Sequence, residues 1–285
     1  ARLTALRAGR RLLNNNFRPT NDFSIVTDAL RQLVYKKEGE LFQESNRLEK
    51  HKNRVFGVSF SEELIASGSY DDTVKLWNRE GDELQTLEGH EGNVYGVSFS
   101  PDGELIASAS DDSTVKLWRT SDGEDLQNLE HSMAVIDVSF SPDGKLIASA
   151  SADNTVKLWR TSDGENLNTL NGHDKPVYGV SFSPDGKLIA SASADNTVKL
   201  WRTSDGKELN TLEGHGKTVQ SAVFSPDGKL IASASYDKTV KLWSIDGKEL
   251  RTLKGHLGVV YSVSFSPDGK LIADRKSTRL NSSHT

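Results

Sequence analysis

The sequence predicts an all-β propeller that is incomplete: five whole repeats and a partial sixth, behind a short helical segment. Three observations carry that expectation. The five tryptophans, Trp77, Trp118, Trp159, Trp201 and Trp243, recur at spacings of 41, 41, 42 and 42 residues. Six of the seven histidines, His51, His90, His131, His173, His215 and His256, recur at 39, 41, 42, 42 and 41. From histidine to the next tryptophan the distance is 28 residues in four repeats and 26 in the first. A period near 40, with Gly-His at one end and Trp later, marks a four-stranded propeller blade.

The fourth repeat, His173 to Leu212, shows how each element follows from its residues. Val177, Val180 and Phe182, then Leu188, Ile189 and Ala190, then Val198, Leu200 and Trp201 form three short β-prone runs. Turn-forming residues separate them: SPDG at 183–186, ADN at 194–196 and TSDG at 203–206. Leu209 and Leu212 mark a fourth, weaker strand. Four such strands cannot bury two faces alone, so each sheet must stack on its neighbours. Five of the seven prolines sit in SPDG turns, and residues 141–164 and 183–206 are identical, the mark of a duplicated blade. Repeat one has SEEL in place of SPDGKL, which predicts a tighter first turn.

Composition removes several classes of function. With no cysteine there is no disulfide scaffold, thiolate metal site or cysteine nucleophile. Mean hydropathy is −0.52, and no apolar run approaches the ~18 residues of a membrane span. No secretory signal segment opens the chain, so a cytoplasmic protein is expected. No phosphate loop G-x-x-x-x-G-K-[ST] and no G-x-G-x-x-G occurs, so no nucleotide cofactor is expected. Histidines some 41 residues apart lack the close spacing of a metal site, and the SPDG turns lack the further acidic ligands of a calcium loop. Residues 51–273 carry a net charge of −11, which argues against a phosphate backbone as partner. A protein or peptide partner is expected, with no nucleic acid, membrane or small-molecule substrate.

From about Gln43 to Ala273 these motifs resemble the WD-repeat β-propellers. Each whole repeat sets a His, a Ser, an Asp and a Trp in fixed register. These are His51, Ser67, Asp71 and Trp77; His90, Ser108, Asp112 and Trp118; His131, Ser149, Asp153 and Trp159; His173, Ser191, Asp195 and Trp201; and His215, Ser233, Asp237 and Trp243. A Ser/His/Asp set invites a catalytic reading, but a catalytic constellation is needed once and this one occurs five times. The resemblance implies instead a buried hydrogen-bond relay from Trp through Ser and His to Asp, tying the loop before the first strand to the turn between the second and third. Two serines per repeat compete for the relay, Ser149 and Ser151 in the third; the one four residues before Asp is preferred. No catalytic residue is expected.

Three positions vary while the framework repeats. Three after His stand Arg54, Asn93, Ala134, Pro176, Thr218 and Val259; five after His stand Phe56, Tyr95, Ile136, Tyr178, Gln220 and Tyr261. Just before the turn Asp stand Tyr70, Asp111, Ala152, Ala194 and Tyr236. In the resembled family these positions ring the top face and contact partners. Five of the six tyrosines fall in this set, and tyrosine suits protein recognition by offering large area at low entropic cost. The expected partner-binding residues are Arg54, Phe56, Tyr70, Asn93, Tyr95, Asp111, Ile136, Tyr178, Gln220, Tyr236 and Tyr261.

Both ends depart from the repeat. The lone methionine is Met133, so the chain opens at Ala1 without an initiator, as a fragment or processed product would. In residues 1–42, Leu3, Leu6, Leu12 and Leu13 suggest one helix, and Val26, Leu30, Leu33 and Val34 a second at i, i+4, i+7 and i+8. This stretch resembles the segment that joins the helical region to the propeller in prokaryotic signal-transduction NTPases of the STAND type. Residues 45–49 resemble an outer strand. Repeat six runs to Ala273, and Asp274 to His284 resembles the translation of an adapter oligonucleotide from sequencing libraries. The expected division is therefore a helical linker at 1–42, a truncated propeller at 43–273 and a non-native tail at 274–285, with an unpaired strand edge where the ring stays open. The expected function is a non-catalytic protein- or peptide-binding module, the ligand-sensing propeller of a STAND-type NTPase. A stand-alone scaffold for complex assembly is the alternative, and a propeller enzyme the third reading.

Overall fold

The structure, a computed structural model, describes residue 48 and residues 50–276, and every regular element among them is a strand. The expected helices of residues 1–42, most of the expected strand at 45–49 and the chain beyond 276 lie outside the described residues. The first sheet comprises β1 (Val55–Phe60), β2 (Leu64–Ser69), β3 (Val74–Asn78) and β4 (Glu83–Leu87), paired antiparallel in chain order. The second has β5 (Val94–Phe99), β6 (Leu105–Ser110), β7 (Thr114–Arg119) and β8 (Asp125–Glu130); the third β9 (Val135–Phe140), β10 (Leu146–Ser151), β11 (Val156–Arg160) and β12 (Asn166–Leu170). The fourth has β13 (Val177–Phe182), β14 (Leu188–Ser193), β15 (Val198–Arg202) and β16 (Glu208–Leu212); the fifth β17 (Val219–Phe224), β18 (Leu230–Ser235), β19 (Val240–Ser244) and β20 (Glu249–Leu253). The sixth holds two strands, β21 (Val260–Phe265) and β22 (Ile272–Lys276).

The described residues divide into two compact units, those up to 151 with 158–167, and 152–157 with those from 168 to 276. In the first, Ala66, Val74, Leu76 and Leu87 pack with Val94, Val97, Phe99, Ile106 and Trp118, so sheet one buries its face on sheet two. In the second, Ala190, Ala192, Val198, Leu200 and Leu212 pack with Val219, Ala222, Phe224, Ile231 and Trp243 in the same register. Alanine on the second strand lets the next sheet approach, and each large apolar side chain so buried contributes about 1.5–3 kcal/mol. Leu48, at the register of Leu87, is buried against Ile65 and Trp77.

Turn chemistry sets the register. In SPDG the Gly103 N–H donates to Ser100 O at 2.9 Å, and Ser100 Oγ accepts from Leu105 N at 2.9 Å while donating to Asp102 Oδ1 at 2.6 Å. Gly103 sits at φ 74°, a conformation open to glycine at no cost. Repeat one closes its turn sooner: Ser61 N–H reaches Leu64 O at 3.0 Å, as the shorter SEEL segment predicts. Between second and third strands, the residue after the relay aspartate is left-handed in every whole repeat: Asp72, Ser113, Asn154, Asn196 and Lys238, at φ 66–76°.

The sixth sheet changes the rule. Asp274, Arg275 and Lys276, the first three residues of the expected tail, continue β22 in register with β21. They occupy the positions of Ser233, Ala234 and Ser235, which are fully buried in the fifth sheet. The buried Arg275 Nε has no hydrogen-bond partner, and burial lowers the guanidinium pKa from its ordinary value.

Candidate partner-binding face

The relay is the foundation of this face. Trp77 Nε1–H donates to Ser67 Oγ at 2.8 Å, Ser67 Oγ lies 2.7 Å from His51 Nε2, and His51 Nδ1 lies 2.9 Å from Asp71 Oδ2. The same chain joins Trp118, Ser108, His90 and Asp112; Trp201, Ser191, His173 and Asp195; and Trp243, Ser233, His215 and Asp237. In the third repeat Trp159 and His131 meet Ser149 in the same way, and Asp153 accepts from Thr155 at 2.6 Å. The partnered serine is thus the one four residues before Asp. Its neighbour two on does a different job: Ser193 Oγ donates to Lys175 O and accepts from Asp195 N, lashing the loop to the turn.

One proton arrangement satisfies every group: Trp N–H to Ser Oγ, Ser O–H to His Nε2, and His Nδ1–H to the carboxylate. That arrangement needs a neutral imidazole. Burial pushes the His51 and His215 pKa values down, against the upward pull of Asp71 and Asp237. Burial alone would raise Asp71, but hydrogen bonds from Thr73, His51 and the Lys52 N–H hold it at about 2. The carboxylate therefore stays charged and grips the loop that carries the variable residues.

Above the relay, the first strand of each sheet carries a bulge. Pairing runs Val55↔Ser69 and then Gly57↔Gly68, leaving Phe56 with no partner across the ladder. The extra residue is Tyr95 in sheet two, Ile136 in three, Tyr178 in four, Gln220 in five and Tyr261 in six. A bulge re-aims a side chain away from the regular alternation. All six variable residues five after His are bulge residues. The other two variable positions flank them: Tyr70 N–H donates to Arg54 O at 2.8 Å, Asp111 to Asn93, Ala194 to Pro176 and Tyr236 to Thr218.

The structure brings some of these side chains together. In the first unit Phe56 stacks on Tyr70 with centroids 4.2 Å apart, and Tyr95 meets both edge-on at 6.0 and 5.5 Å. Arg54, Phe56 and Asp111 are exposed around them, while Asn93 and Ile136 are half-buried. In the second unit Tyr236 meets Tyr261 edge-on at 5.6 Å, and the Arg275 guanidinium lies 5.9 Å from the Tyr261 ring. Tyr178 and Gln220 are half-buried on the same set of bulges. Burial, reinforced by the neighbouring tyrosines, pushes the Tyr95 and Tyr236 hydroxyls up to about 12, so both remain hydrogen-bond donors at neutral pH.

Sequence reasoning passed over a second polar set beneath the tryptophans. Lys75 Nζ pairs with Glu83 at 2.9 Å and Thr86 at 2.6 Å; Lys199 with Glu208 and Thr211, and Lys241 with Glu249 and Thr252, repeat it. Its signal was present: a Lys two before Trp, then an acid eight or nine residues on in the outer strand, with a Thr three after the acid. Among the described residues no group of three or more potential ligands could hold a metal, and no helix is long and apolar enough to cross a membrane.

Stacked four-stranded sheets, each clamped by a Trp–Ser–His–Asp relay, are the blades of a β-propeller. Residues 42–78 and 81–119 match the WD domain, G-beta repeat, and residues 134–273 match the IFT122 first beta-propeller. Together the matches support the WD-repeat β-propeller family, whose members act in general as non-enzymatic modules that bind proteins. No curated protein matches the chain.

Proposed function

We propose that the chain is a non-catalytic module that captures a protein or peptide on its bulge residues. One observation carries the reading: the positions that vary between otherwise near-identical repeats are the unpaired bulge residues and their flanking neighbours. A framework that repeats while these positions vary presents different chemistry at each blade. The aromatic members supply rigid amphipathic area of the kind that dominates binding energy at interfaces. The experiment is a titration with peptides selected from a random library against the whole chain. Alanine at Tyr70 and Tyr95 should weaken capture by roughly tenfold, about 1.4 kcal/mol, and undiminished capture would end the proposal.

The wider setting of the proposal is a cytoplasmic signalling NTPase of the STAND type, with this propeller as its ligand sensor. The support is the likeness of residues 1–42 to the linker of that family. Recovering the complete gene tests it: an upstream phosphate loop is the expected finding, and its absence would leave the stand-alone scaffold.

A further inference from the structure

We infer that Asn171–Gly172 is a site of spontaneous covalent modification, at which the asparagine amide converts to aspartate and isoaspartate. The chain has one Asn–Gly pair and nine Asp–Gly pairs, the dipeptides in which a backbone nitrogen can reach the preceding side-chain carbonyl without hindrance from a side chain of its own. In the reaction the Gly172 nitrogen loses its proton to hydroxide and attacks Asn171 Cγ. A C–N bond forms, ammonia leaves, and a cyclic imide remains. Water then opens the imide at either carbonyl, giving aspartate on the normal backbone or isoaspartate with one extra backbone carbon. The net change is one water taken up and one ammonia released.

The structure separates these ten sites. In all nine Asp–Gly pairs the glycine N–H is held by a backbone carbonyl: Gly103, Gly144, Gly186, Gly228 and Gly269 by the serine of SPDG, and Gly123, Gly164, Gly206 and Gly247 by the residue that opens their own turn, Arg119, Arg160, Arg202 and Ser244. A nitrogen whose proton is so engaged is neither free to ionise nor free to turn. The aspartate of SPDG is held as well, accepting from Ser Oγ and from the backbone N–H of the residue after the glycine. Gly172 lies in an irregular exposed segment and its N–H makes no hydrogen bond among the described residues. The Asn171 side chain has one tie, Nδ2–H to Thr169 O at 3.1 Å, at an exposed position where water competes.

A larger, protective residue at the glycine would crowd its neighbours. A Cβ at position 172 would stand 3.0 Å from Trp201 and 2.8 Å from Glu208 Oε2. At the register of Asn171 the second, fifth and sixth repeats carry Glu88, Glu213 and Lys254, so normal aspartate there is compatible with the fold. Isoaspartate is not equivalent. Its extra carbon displaces Gly172 against Trp201 and shifts His173, whose contacts with Ser191 at 2.7 Å and Asp195 at 2.6 Å hold the fourth relay. The pair thus records the age of the protein in the loop that positions Tyr178.

The test incubates the whole chain at mildly alkaline pH, folded and in urea, and maps aspartate and isoaspartate by peptide mass spectrometry. Asn171 should convert at comparable rates in both states, and the nine Asp–Gly pairs should isomerise many-fold faster in urea than when folded. Folded-state isomerisation of the Asp–Gly pairs ahead of Asn171, or an amide at 171 that persists until urea is added, would overturn the inference. Asn171→Asp should melt like the parent and aged, isoaspartate-rich protein below it; identical melting of all three would refute the effect on the relay.

Discussion

Ser108 and Tyr95 belong to adjacent strands of the second sheet, yet they follow opposite rules. Ser108 is fully buried between the Trp118 indole and the His90 imidazole, and a serine holds that place in all five whole repeats. Tyr95 occupies the bulge of the neighbouring strand, and its counterparts are Phe, Ile, Tyr, Gln and Tyr. The difference lies in what each side chain must satisfy. A buried indole N–H, a hydroxyl and an imidazole that share protons tolerate no substitute, because each unpaired group costs about 1–3 kcal/mol. A bulge residue has no cross-strand partner to match in the ladder, so its identity is less constrained than that of a relay residue.

The comparison can be broken most forcefully at the relay. Trp201→Ala empties a site where the side chain is 1% exposed and should cost about 3–5 kcal/mol, read by urea unfolding. Ser191→Ala keeps the volume nearly intact but strands the Trp201 N–H and His173 Nε2, so a loss of about 1–3 kcal/mol is expected by the same measurement. A Ser191→Ala protein as stable as the parent would show that the relay is ornamental.

Acid provides a graded version of the same test. The His51 and His215 pKa values lie below the ordinary 6.5 when folded, so the unfolded chain binds those protons more tightly. Their contribution to stability is complete above 6.5 and declines as pH falls below it. Asp71, at about 2 when folded against 3.8 ordinarily, adds a further loss as pH falls from 3.8 toward 2. Melting temperature should therefore drop from pH 7 to pH 5 and again below pH 4; a flat profile would contradict a neutral-imidazole relay.

The smallest expected effect lies beside the relay. Lys238 holds a left-handed conformation, φ 70°, that Asp72, Asn154 and Asn196 adopt with less strain elsewhere. Lys238→Asn should raise stability by about 0.5–1 kcal/mol in thermal unfolding. It leaves the bulge residues untouched, so peptide capture should not change.

Much of this was legible before any coordinates. The spacing of Trp and His delimits the sheets, and runs such as Val177 to Phe182 locate the strands because alternation and turn residues agree. The relay residues were legible because they recur. The choice between Ser149 and Ser151 was open, since residues two apart on a strand share a face; only the hairpin register shows that one meets Trp159 and the other the loop carbonyls. The bulges were invisible for a related reason. Variation marks Phe56 and Tyr95, but an unpaired residue exists only relative to the strand beside it. The lysine set was missed because Lys75 and Glu83 belong to separate strands, and only their pairing across the ladder brings the recurring Lys, acid and Thr together. In the sixth repeat, Asp274 at the serine register now faces His256 Nε2 at 3.2 Å, a pairing that follows from the register of β22 and from no repeat motif.

The central claim is a division of labour: relay residues hold the sheets, and bulge residues meet the partner. The most direct measurement pairs calorimetric titration of a library-selected peptide with thermal unfolding, for the parent, Tyr70→Ala with Tyr95→Ala, and Ser191→Ala. The account predicts that the tyrosine variant loses roughly tenfold in affinity with the smaller fall in melting temperature, while Ser191→Ala melts markedly lower and, at a temperature where it is folded, binds like the parent. Full affinity in the tyrosine variant, or unaltered melting in Ser191→Ala, would contradict it.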